Sequence, residues 1–203
     1  MLRRAALVAL VAAGTIVPSG GAQISETVTY FSVRGSTLEE IDDELQRRGP
    51  PVGLAGVRHP GATRVRFDGF VTYEADGRLC RVDETNLSLD VEMMLPRWEG
   101  SRRASAQTNL IWRTISEDIQ RHEREHADIA RQWLRRMEGA LRNLKPQRDC
   151  RAMEASVNAT TQRYLQGHER AQRDFDIVEG REVNYRLRRA LRANQREEAA
   201  ASQ

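Results

Sequence analysis

Residues 105–142 read SAQTNLIWRTISEDIQRHEREHADIARQWLRRMEGALR. Within this stretch Leu110, Ile111, Ile115, Ile119, His122, His126, Ile129, Trp133, Met137 and Leu141 follow i, i+3, i+4 spacing. Such spacing lines them up on one stripe of a long amphipathic α-helix, and Pro146 sets the limit it cannot pass. A stripe of this length needs apolar surface to cover it, so the flanking sequence must supply a partner.

Upstream the period is two. Thr27–Val33 (TVTYFSV) is β-branched and aromatic and reads as a strand broken by Gly35. Ser36 with Glu39 matches a capping box, opening a helix through Leu38, Ile41 and Leu45 that Gly49-Pro50-Pro51 stops. A Gly- and Pro-rich loop runs to about Ala62. Residues 64–74 alternate apolar and polar, with Asp68-Gly69 suggesting a bulge or bend, and Asp76-Gly77 signals a hairpin turn. The return strand carries Leu87, Leu89, Val91 and Met93 on one face and is expected to end at Pro96.

Downstream, a second helix is expected from about Cys150 through Met153, Val157, Tyr164, Leu165 and Phe175. After Gly180 the pattern weakens, and residues 194–203 read as a disordered tail. The fold class is α+β. A small antiparallel sheet with a capping helix precedes two long helices, in a single domain spanning residues 23–193.

The first residues, MLRRAALVALVAAGTIVPSGGAQ, pair Arg3 and Arg4 with an apolar stretch and small residues near Ala22, the pattern of a cleaved signal peptide over residues 1–22. A secreted or periplasmic protein without a membrane span is the expectation. The formal charge of +3 then falls to +1, with residues 23–100 net acidic and residues 101–203 net basic. Of the 32 basic residues only Lys145 is lysine, a ratio that resembles a genome-wide codon bias more than selection for phosphate contacts. Glu and Asp interleaved among the arginines of the second half speak against nucleic acid as a partner. In an exported protein the cysteine pair, Cys80 and Cys150, most simply forms one disulfide.

The sharp signal is His122-Glu123-Arg124-Glu125-His126, an HExxH pattern. Histidines at i and i+4 lie one turn apart, so both imidazoles can reach one metal ion, and Glu123 beside them can take a proton from a metal-bound water. The competing reading is a pair of core histidines, which would bury polar groups at a cost unless something satisfies them. A hydrolytic zinc site needs a third protein ligand. The following helix offers His168, Glu169, Asp174, Asp176 and Glu179, of which Asp176 and Glu179 are three apart and share a face. His168, flanked by Glu169 and Arg170, reads as a surface residue.

Five segments in this order resemble the bacterial DUF922 family of predicted secreted zinc-dependent proteases. They are RRGPPVG, CRVDETNLSLDVEMMLPRW, RHEREHADIA, the second cysteine and RDFDIVEG. The resemblance spans roughly Tyr30 to Leu191. It implies a zincin-like fold, His122 and His126 as zinc ligands, Glu123 as general base, and Asp176 or Glu179 as third ligand. Some relatives carry a YDxxTxHG pattern downstream whose histidine this chain lacks, which leaves the third ligand open between the two carboxylates.

The leading expectation is therefore a zinc-dependent metallopeptidase acting on a peptide or protein substrate. His59, Tyr73 and His168 are candidate oxyanion donors, and an exposed strand edge could receive an extended substrate. The alternatives are a non-catalytic envelope protein with a structural or vestigial zinc site, and an Arg-rich module binding anionic polymers through residues 101–203.

Overall fold

The computed structural model describes residues 22–52 and 56–201. Apart from Ala22, the expected signal segment lies outside the described residues. The chain runs β1 (Gln23–Val33), α1 (Leu38–Arg48), β2 (Pro51–Val52), β3 (Val57–Arg58), β4 (Ala62–Ala75), β5 (Cys80–Trp98), α2 (Ala106–Arg142) and α3 (Cys150–Ala201). It is a mixed α+β arrangement: one small sheet and two long helices, with a two-stranded ribbon of β2 and β3 at the side.

The sheet has the order β1-β5-β4. The β4–β5 hairpin is antiparallel and closes at Asp76-Gly77, where the Asp76 carboxylate accepts from the backbone N–H of Arg78 (3.0 Å) and Leu79 (2.8 Å). β1 pairs with β5 in parallel, from Gln23↔Ser88 to Val33↔Trp98, so the sheet is mixed and not antiparallel as expected. With α1 between β1 and β4, the chain reaches the far side of β5 before the hairpin begins. The register irregularity lies between Val71 and Tyr73 and not at Asp68-Gly69. Gly69 takes φ +144°, and a Cβ there would stand 2.3 Å from the Asn86 carbonyl oxygen.

β5 continues through Pro96 to Trp98. Pairing with β4 starts at Ala62↔Met94, so beyond that point β5 has only β1 beside it, and a missing N–H on the open side disrupts no ladder. The α1 cap is also displaced by one residue from the expectation. Thr37 caps the helix by accepting from the Glu40 N–H, and the Glu40 carboxylate reaches back to the Ser36 N–H at 2.6 Å.

The core forms where the inner face of β5 meets α2. Leu87, Leu89, Val91 and Met93 pack against Ala127, Ala130, Leu134, Met137 and Leu141, with Met153 and Val157 of α3 completing the cluster. Cys80 and Cys150 form the disulfide, with Cα atoms 5.0 Å apart, and beside it Cys80 and Gln147 exchange two backbone hydrogen bonds of 2.8 Å. No helix of the described residues is long and apolar enough to cross a membrane.

Cross-helix contacts run in opposite order along α2 and α3: Asp118 with Arg186, His126 with Gln172, Trp133 with Tyr164. The two helices are therefore antiparallel. α3 is one continuous helix to Ala201, past Ala193, where the sequence reading starts a disordered tail. Its second half lacks a strong apolar stripe because polar groups make the contact instead. Arg186 donates to Asp118 at 2.6 Å, and the Asn194 amide donates to Thr114 Oγ1 at 3.0 Å.

Candidate metal centre

The line of α2 that faces the sheet is rotated slightly from the expected stripe. It runs Ile119, Glu123, Ala127, Ala130, Leu134, so Glu123 and not the histidines lies on it. Only 5% of Glu123 is exposed. One helical step around, His122 and His126 turn toward α3 and are half-buried against Phe175, whose ring stacks on His122 (centroids 4.9 Å) and meets His126 edge-on (5.0 Å).

On α3, positions 168, 172, 176 and 179 fall on the face opposite these histidines, since residues three and four apart share a helix face. Asp176 projects its Oδ1 to 3.0 Å from His126 Nε2 and 3.5 Å from His122 Nε2, and the two Nε2 atoms are 3.0 Å apart. Three donor atoms thus converge from two helices. Ligand atoms at tetrahedral zinc distances stand about 3.3–3.5 Å from one another, so the donor set fits such an ion with little adjustment.

The tautomer of His126 follows from its neighbour. The Gln172 side-chain amide donates from Nε2 to the His126 carbonyl at 3.0 Å and to His168 Nε2 at 2.8 Å. A carbonyl only accepts, so the amide nitrogen is fixed there and Gln172 Oε1 faces His126 Nδ1, which must donate to it. In the neutral ring this tautomer leaves the Nε2 lone pair aimed at the convergence point.

Charge points the same way. Glu179 is paired with Arg121 and with Arg186 (3.0 Å), and Asp118 with Arg186 and Arg121, so both carboxylates are already neutralised. Burial pushes the Asp118 carboxyl up, but Arg186 and Arg121 outweigh it and hold the group below its ordinary value. Asp176 and Glu123 have no arginine or lysine partner among the described residues. Two uncompensated carboxylates beside two imidazoles suit a divalent cation.

Of the sequence-predicted ligands, then, His122, His126 and Asp176 come together. Glu179 stands outside this group, with its nearest oxygen 3.7 Å from His122 Nδ1. Glu123 accepts from Thr63 Oγ1 at 2.8 Å, and the same hydroxyl contacts the Glu123 carbonyl at 2.9 Å. Gly61 lies against the carboxylate: a Cβ there would be 2.9 Å from Glu123 Oε1 and 2.8 Å from Ile119 Cγ2.

His168 is buried, at 6% exposure, edge-on to Phe67, and is not the surface residue its charged neighbours suggested. Burial lowers its pKa, Glu169 opposes that, and His126 adds to the lowering. Its Nε2 accepts from the Gln172 amide. His59 is exposed and lines a cavity beside the site, whereas Tyr73 packs against the core near Glu154. Asp174 is exposed, and Glu169 contacts Arg173 at 3.9 Å.

Gln172, Thr63 and Gly61 were missed by sequence reasoning. Gln172 carried a usable signal, lying midway at i+4 steps between His168 and Asp176. Thr63 and Gly61 carried none, because strand-to-helix proximity is not written in local spacing. A cavity of about 800 Å³ opens beside the triad, walled by Leu45, Val65, Ile115, Ile119, Val183 and Leu187. That volume lies within the range of small-ligand and substrate sites.

The chain belongs to the family described as bacterial protein of unknown function (DUF922), whose model matches residues 28–184. No curated protein and no solved structure matches the chain.

Proposed function

We propose that this protein is an exported zinc-dependent metallopeptidase in which His122, His126 and Asp176 hold the ion and Glu123 serves as general base. The observation that carries the reading is the convergence of two imidazole nitrogens and one carboxylate oxygen, 3.0–3.5 Å apart, on the wall of a substrate-sized cavity. A zinc ion held by these residues would polarise a carbonyl and would bring the pKa of a bound water to about 7.

The chain's own residues do the rest. Glu123, buried and steadied by Thr63, takes the proton of the attacking water and returns it to the leaving amine. Gln172 holds His126 in the tautomer that presents Nε2. Arg121 and Arg186 occupy Glu179, leaving Asp176 as the third ligand. His59 is the candidate oxyanion donor on the cavity wall. β4 is an edge strand with Thr63 near its start, so an extended peptide can pair with its open backbone while side chains enter the cavity. The disulfide and the N-terminal apolar segment favour export. The zincin-like character of the fold belongs to the same proposal.

Metal analysis with proteolysis assays tests it. About one zinc per chain is expected in the wild type, none in His122→Ala, and retained zinc with lost cleavage in Glu123→Gln. A wild-type protein that takes up no metal overturns the reading, and metal without cleavage of any peptide favours a structural site.

A further inference from the structure

The arginines of the second half look interleaved with acids in the linear sequence, but the helix sorts them. At 100° per residue, Arg181, Arg188, Arg189, Arg192 and Arg196 of α3 fall within an arc of about 100°, with Tyr185 near its middle. All six are exposed, Tyr185 to 72%. None of the five arginines makes an ion pair or side-chain hydrogen bond among the described residues. Glu182, the one acid between positions 181 and 196, lies at the border of the arc and acts on Arg186.

Arg186, Val183, Leu187 and Asn194 point the other way, toward the cavity and α2. The helix therefore has one face for its own protein and a second, cationic face that nothing among the described residues neutralises. That face extends over roughly 22 Å of helix axis. Just before it, Ile177 and Val178 are 52% and 50% exposed and continue the same side.

We propose that this face of α3 docks on an anionic lipid surface. A row of unpaired guanidinium groups on a convex helix can meet a planar sheet of phosphates all at once. Tyr185, Val178 and Ile177 supply the aromatic and apolar groups that settle at the headgroup level. A soluble polyanion would use the arginines and leave those three side chains without a role. The proposal stands apart from the metal site: it uses none of its residues and needs no ion bound.

The test is co-sedimentation of the full chain with phosphatidylcholine vesicles, with and without 30% phosphatidylglycerol. The wild type is compared with Arg188→Glu/Arg192→Glu. The apolar N-terminal segment is common to both proteins and both vesicle types, so its contribution cancels. Each arginine near an anionic surface is worth roughly fivefold in binding, so the double reversal is expected to weaken the anionic-vesicle component about 25-fold or more. Arg188→Lys/Arg192→Lys retains binding, and Tyr185→Ala weakens it a few-fold; far-UV circular dichroism checks that each variant keeps its helices. Equal partitioning on neutral and anionic vesicles, or no loss in the charge-reversed protein, overturns the proposal. Tighter binding to duplex DNA or heparin than to the vesicles at equal salt, unaffected by Tyr185→Ala, replaces the lipid with a soluble polyanion.

Discussion

Gln172 fixes the tautomer of His126. Its amide nitrogen is committed to the His126 carbonyl, so its oxygen accepts from Nδ1 and the opposite ring nitrogen is left bare toward His122 and Asp176. Partners of this kind orient a metal-binding imidazole and raise its basicity, and their loss typically costs 10–100-fold in metal affinity. Gln172→Leu is expected to weaken zinc binding by that factor while keeping one site per chain, measured by competition with a chelator. Unchanged affinity would show that His126 needs no such support.

The two carboxylates one turn apart on α3 should separate cleanly. Asp176→Asn is expected to lose stoichiometric zinc, because its Oδ1 is the third converging atom. Glu179→Gln is expected to keep the metal and instead to loosen α3 from α2, since Glu179 is bound by Arg121 and Arg186. Metal analysis of the two variants decides the matter; zinc retained in the first and lost in the second reverses the assignment.

Gly61→Ala places a methyl group against the Glu123 carboxylate and Ile119. Crowding a packed position in this way costs about 1–3 kcal/mol. A lower urea midpoint is expected, together with a larger fractional loss of peptide cleavage than of zinc affinity, because the displaced group is the proposed base and not a proposed ligand. An unchanged midpoint would mean that the β4–α2 contact yields without strain.

Asp118 links acid stability to the helix pair. Burial raises its pKa, Arg186 and Arg121 lower it further than that, and the net folded value is depressed. The unfolded chain therefore binds the proton more readily. The stabilisation is present above the ordinary carboxyl value, about pH 4, and is lost as pH falls through the folded value. Asp118→Asn is expected to lower stability at neutral pH and to converge with the wild type as the pH falls through the depressed folded value. Urea midpoints across pH 3–7 check this, and parallel curves would count against it.

The disulfide closes a sequence separation of 70 residues that contains all of α2. Removing a bridge over a loop of this size typically costs about 2–5 kcal/mol. Cys80→Ser/Cys150→Ser is expected to unfold at markedly lower urea, measured against the oxidised wild type. Equal midpoints would mean that the core alone holds β5 and α3 together.

Much of this molecule is written in local spacing. The hairpin at Asp76-Gly77, the inward face Leu87 to Met93 and the long helix follow from period and turn chemistry, which act over a few residues. The parallel pairing of β1 with β5 does not, because strand direction depends on where the chain re-enters the sheet. Pro96 misled for a related reason: whether a missing N–H matters depends on whether a neighbour is there to use it. At the site, His122 and His126 were legible as a pair because i, i+4 spacing puts them on one helix face, whereas spacing alone could not choose between Asp176 and Glu179. The order of burial was not. Glu123 lies deeper than either histidine because α2 serves two neighbours, the sheet and α3, and a single apolar stripe cannot describe a helix with two contact lines. The far end of α3 was underrated because its contacts with α2 are made by Arg186 and Asn194, which hydropathy scores as surface.

α3 is a single uninterrupted helix from Cys150 to Ala201. At one end it is stapled to the sheet, near its middle it contributes Asp176, and beyond that it presents the arginine face. An unbroken helix transmits rotation along its axis without a hinge. Whatever settles against the arginines therefore also sets the bearing of the cavity mouth, so a surface that captures this protein would aim it as well as hold it.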